Sequence, residues 1–180
     1  MRDERTHTMF LGFAFLILLV VSSVENTVFF NILGEILSNQ FLAVGMLFMN
    51  NVLVISLILL GMTFYVNLVI LDFFKREKYS HIVLEHSRTF ALVFTIMIVF
   101  LSILRGSSLL GGIDIEVLPL VLLISAPIGI VEGYGIYLTI EKTLSKAMSL
   151  RDLAYIYGIF FIASVMEVGF INLLISVATG

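Results

Sequence analysis

Two carboxylates stand inside runs of residues that are otherwise apolar. Glu132 follows Ala126-Pro127-Ile128-Gly129-Ile130-Val131, and Glu167 follows Ala163-Ser164-Val165-Met166. At the centre of a membrane helix an ionised acid costs about 2.5–3.5 kcal/mol even on the lenient insertion scale. Glu132 is therefore expected to be paired, hydrogen-bonded or protonated, with a neutral acid able to donate to an amide oxygen. Two chemistries suit such groups: holding a proton, cation or substrate between helices, or tying helices together by hydrogen bonds. Asn50-Asn51 offers the matching amides. Adjacent helical residues point about 100° apart, so one can face the acids while the other caps or bonds elsewhere. Asn50, Asn51, Glu132 and Glu167 are read as one polar centre, and Asn67 and Ser56 as packing residues.

The elements that position these groups carry their own signals. Pro127 has no amide hydrogen, and its ring collides with the carbonyl of Leu123, so a helix here is expected to kink or break. Ser125, Gly129 and Gly133 fall within about 40° of one line, a stripe of small residues that lets a neighbouring helix approach closely. Glu132 lies about 60° from Gly129 on the same side. The carboxylate is thus expected to point toward a helix contact and away from lipid.

The composition places these helices in a bilayer. Hydrophobic residues make up 60% and charged residues 13% of 180 positions, with a mean hydropathy of +1.13. An ordinary soluble domain has about 45–50% apolar and about 25% charged residues. Five hydrophobic segments stand out, at Met9–Val24, Val44–Leu71, Thr89–Leu104, Val117–Ile140 and Leu153–Ala178. Each approaches the roughly 20 residues a spanning helix needs, the third being shortest. They are apolar on every side, unlike barrel strands, which alternate over about ten residues. The predicted fold is all-α: a polytopic membrane protein of about five transmembrane helices in a single domain over residues 1–180. Mixed charges at Arg2, Asp3, Glu4 and Arg5, and the poor cleavage sequence Val21-Ser22-Ser23, argue for a retained first helix over a signal peptide. Thr27–Leu37, still largely apolar, either lies at the interface or extends that helix.

Charge sets the expected orientation. Of the ten Lys and Arg residues, Arg2 and Arg5 precede the first segment, Lys75, Arg76, Lys78 and Arg88 follow the second, and Lys142, Lys146 and Arg151 follow the fourth. Five alternating spans put these nine on one side, leaving Arg105 on the other with Glu25, Glu35, Asp114 and Glu116. The positive-inside rule then predicts an N-terminus inside and a C-terminus outside.

Several chemistries find no support. The absence of cysteine excludes disulfides and thiolate metal sites. A net charge of −3 points to no nucleic-acid partner. Gly133-Tyr134-Gly135 echoes a potassium-filter tripeptide but sits within a full span, where a filter needs a re-entrant loop. His81, Glu85 and His86 lie in a basic loop without further ligands, which reads as a solvated helix start. No phosphate loop, nucleophile elbow or His-Glu-x-x-His pattern occurs, so catalytic, metal and cofactor sites are expected to be none.

Taken together, Phe48-Met49-Asn50-Asn51-Val52-Leu53 and Ala126-Pro127-Ile128-Gly129-Ile130-Val131-Glu132 resemble the stage II sporulation protein M family over roughly residues 40–180. That family pairs an Asn-Asn helix with a later Pro-His-Gly-x-x-Glu signature; Ile128 stands here in place of the histidine. The resemblance implies a non-enzymatic, multi-pass protein of a prokaryotic cell membrane, acting as an assembly or scaffold component. Its expected partners are the lipid bilayer and either a second copy, with a dimer favoured, or another membrane protein. The alternative is a small transporter or channel subunit that uses Glu132 and Glu167 to bind a proton, cation or substrate.

Overall fold

A computed structural model describes residues 2–36, 39–71, 82–109 and 118–179. These form six helices: α1 (Arg2–Ile36), α2 (Gln40–Ile70), α3 (Ile82–Glu85), α4 (Ser87–Leu109), α5 (Leu118–Leu144) and α6 (Leu150–Thr179). Long apolar runs adopt helices because a helix satisfies every interior N–H and C=O within its own segment. Three are long and apolar enough to cross a membrane, over Thr6–Glu25, Gln40–Ile70 and Leu150–Asn172, and Ser87–Leu101 is a shorter apolar helix.

Two local alternatives are narrowed. Of the two readings of Thr27–Leu37, the extension of the first helix is the one found: α1 runs on through Glu25 and Asn26 to Ile36, and Leu37 lies outside the described residues. Two polar residues without glycine or proline do not interrupt a helical hydrogen-bond ladder, so Glu25 is a helix residue and not part of a loop. Of the kink or break expected at Pro127, the break does not occur: α5 continues from Leu118 to Leu144. One missing N–H leaves the ladder intact on either side of the proline.

Helices α2, α5 and α6 pack against one another, with α1 along α2 and α4 along α5. Close approaches give the directions. A Cβ on Gly12 would come within 2.9 Å of the Phe64 ring, and one on Gly61 within 2.9 Å of Phe15. The exchange of aromatic for glycine in both directions makes α1 and α2 an antiparallel pair. On α1, Thr8, Leu11, Phe15, Leu18, Ser22 and Glu25 are buried or half-buried at alternating steps of three and four, with half-buried Gly12 beside Leu11, the spacing of a supercoiled seam.

The core joins Ile55 of α2, Ala91 of α4, Ile136 and Ile140 of α5, and Ile156 and Phe160 of α6. Hydroxyls in these helices turn back on their own backbone: Thr139 donates to the Gly135 carbonyl at 2.8 Å and Thr143 to that of Thr139 at 2.6 Å. The outer faces are apolar, as Phe13, Leu16, Ile17 and Val20 of α1 and Leu92, Val93, Ile96 and Phe100 of α4 are exposed.

One turn sets α6 back against α5. Lys146 adopts a φ of 56°, Ala147 N–H donates to Lys142 O at 2.9 Å, and Lys146 N–H to Thr143 O at 3.1 Å. This pair of bonds closes α5 with a left-handed residue. Ser149 and Asp152 then exchange backbone-to-side-chain bonds of 3.0 and 3.1 Å, a capping box that starts α6.

Candidate functional site

The structure brings three helices together at Asn51. Its Nδ2 donates to Glu132 Oε1 of α5 at 3.4 Å and to Ser164 Oγ of α6 at 3.2 Å. Ser164 is fully buried, and its hydroxyl passes a bond of 2.9 Å to the Phe160 carbonyl. Glu132 and Glu167 are both half-buried, and Glu167 stands near enough for the two carboxyls to interact electrostatically. Of the amide pair, Asn51 therefore turns to the acids. Asn50 makes no side-chain hydrogen bond among the described residues, and its helical phase, about 20° from Gly61, puts it on the α1 side of α2.

Glu132 faces α2 while the small-residue stripe serves α4. Val99 lies over Gly129 and Gly133, so that a Cβ on Gly133 would meet it at 3.3 Å. Pro127 is exposed within α5; the side chain of Ser125 lies outside the described residues. The stripe and the acid thus meet different neighbours.

Sequence reasoning passed over Gly135. A Cβ there would overlap the ring of Phe160, so this glycine seats α6 directly beneath the polar centre. Gly133 and Gly135 lie two residues apart and point about 200° apart, one toward each neighbour. The signal was the Gly-Tyr-Gly tripeptide itself, with Tyr134 exposed between two buried glycines. Ser164, three residues before Glu167, joins the polar centre through the bond it accepts from Asn51. Ser56, read as packing, shares a hydrogen bond of 3.3 Å with Tyr157 of α6.

Among the described residues, the ion pairs lie away from these acids. Arg88 of α4 approaches Glu141 of α5 at 3.5 Å, and Lys142 approaches Asp152 at 3.6 Å. Glu141 is nine residues from Glu132, or about 14 Å along the helix. Lys75, Arg76, Lys78, His81, Asp114 and Glu116 lie outside the described residues. Among the described residues, both Glu25 carboxyl oxygens and Thr95 Oγ1 are buried without a hydrogen-bond partner, and no three His, Asp or Glu side chains converge in a way that would hold a metal ion.

The arrangement can fasten α2, α5 and α6 to one another, and it holds two carboxyls together in an apolar bundle. Compared with protein-family models, curated proteins and solved structures, the chain finds no match in any of the three.

Proposed function

We propose that this is a five-span protein of a prokaryotic cell membrane, with its N-terminus inside, acting without catalysis as an assembly or scaffold component of the stage II sporulation protein M type. The observation that carries the reading is the Asn51 carboxamide, which bonds at once to Glu132 and Ser164. One side chain of α2 thereby holds α5 and α6 in place, and a bundle tied in this way offers a fixed outer surface to a partner. The exposed apolar faces of α1 and α4 are that surface, shared between lipid and a second copy or another membrane protein.

A second reading has its own observation. Glu132 and Glu167 are near enough to interact electrostatically, and among the described residues neither forms an ion pair with a basic side chain, an arrangement a proton or cation carrier would use. Ion flux into liposomes containing the purified protein separates the two. The scaffold reading expects no flux above that of empty liposomes, with a dimeric or larger mass in detergent. Flux that disappears on Glu132→Gln would establish transport in its place.

A further inference from the structure

We propose that Glu25 makes the seam between α1 and α2 a protonation-dependent latch, closed while its carboxyl is neutral and opened outward when it ionises. Both carboxyl oxygens of Glu25 are sealed from the surroundings and have no hydrogen-bond partner. A neutral acid tolerates such a place at moderate cost. An ionised one does not, because several kcal/mol of lost hydration go uncompensated unless a counter-charge is present, on the order of magnitude known for buried ions.

Among the described residues, no counter-charge faces it. Glu25 occupies the last described seam position of α1, and the helix packed there is α2. Helix α2 carries no Asp, Glu, Lys, Arg or His between Gln40 and Ile70. The register set by Gly12 with Phe64 and Phe15 with Gly61 continues to put Glu25 level with Asn50 and Asn51. Asn51 already serves Glu132 and Ser164, so the uncharged carboxamide of Asn50 is the polar group on that side. The titratable Tyr65 of α2 is fourteen residues from Asn51, about 21 Å along the helix. On α1 itself the nearest ionisable residues in sequence are Glu35, ten positions on, and His7, eighteen back.

The same geometry supplies the motion. Helix α1 is the flank of the bundle, exposing Phe13, Leu16, Ile17, Val20, Val21 and Val24, and its glycine-to-aromatic seats on α2 lie in the half before Glu25. The stretch around Glu25 can therefore leave α2 while Gly12 and Phe15 keep the first half docked. Ionisation is relieved by moving the carboxylate outward until it reaches water or headgroups.

Spin labels at Val28→Cys and Met49→Cys, both exposed positions on facing helices, report the seam in lipid nanodiscs from about pH 5 to about pH 9, above the ordinary glutamate value. The wild-type distance should lengthen as pH rises, by several Å and at most about one helix diameter of 10 Å. In Glu25→Gln it should stay short throughout. A wild-type distance that is constant across the range overturns the latch, as does a lengthening that persists in Glu25→Gln. The inference rests on α1 lying in a bilayer, and a label at Ile17→Cys tests that separately. Contact with an aqueous paramagnetic reagent at Ile17 would defeat the membrane reading, whereas contact with dissolved oxygen and a fixed seam distance would defeat the latch alone.

Discussion

Asn51 Nδ2 lies 3.4 Å from Glu132 Oε1, joining positions 81 residues apart in the chain, and the same nitrogen lies 3.2 Å from Ser164 Oγ. A carboxamide oxygen accepts this bond as a carboxyl oxygen does. Glu132→Gln should therefore leave stability nearly unchanged, whereas Glu132→Leu strands the amide and should cost about 1–3 kcal/mol. Thermal unfolding of both variants in detergent measures the difference. Equal tolerance of Gln and Leu would show that the bond contributes nothing to the bundle.

Gly135 and Gly158 form a matched pair of glycines with opposite surroundings. The Phe160 ring occupies the space a Cβ would need at Gly135, and nothing lies within 4 Å of that space at Gly158. Gly135→Ala should destabilise by about 1–3 kcal/mol through overpacking. Gly158→Ala should be neutral or stabilising by up to about 1 kcal/mol through helix propensity. Denaturant titration of the two variants checks the order, and a reversal would mean that α5 and α6 do not meet at Phe160.

Orientation is open to chemical labelling, since the chain has no native cysteine. Ser145, His7 and Gln40 are exposed. Cysteine at Ser145 or His7 should react only with reagents that enter the cytoplasm, and cysteine at Gln40 with impermeant reagents added outside. Labelling of all three from one side would remove the alternation of spans.

The cap that starts α6 should contribute more to stability than the ion pair between α4 and α5. Ser149→Ala removes the bond to the Asp152 amide and should lower stability by about 0.5–2 kcal/mol. Arg88 has a side chain 83% exposed beside Glu141, and Arg88→Ala should change stability by less than about 1 kcal/mol. Unfolding midpoints at low and high salt compare them; a larger and salt-sensitive loss at Arg88 would give the ion pair the greater part.

The helices were legible from hydrophobic length, since an apolar run of this extent leaves the backbone few other ways to satisfy itself. The polar residues worth attention were legible too, because Asn51 and Glu132 are costly among apolar neighbours. Their partners were not. Which of Asn50 and Asn51 turns toward the acids depends on the rotation of α2 against α5 and α6, and contacts such as Phe48 with Phe161, at a ring separation of 5.5 Å, lie more than a hundred residues apart. Periodicity within one helix carries no record of that rotation. The same reason hid the division of labour between Gly133, which serves α4, and Gly135, which seats Phe160. Pro127 and Glu25 each left two readings open. Each is a local signal for interruption, and each sits in a continuous helix because one absent N–H or one polar side chain is a small perturbation of a long hydrogen-bonded ladder. Whether Glu25 faces solvent, lipid or a neighbour was settled by the antiparallel register of α1 on α2, a relation between two faces that exists only after they have packed.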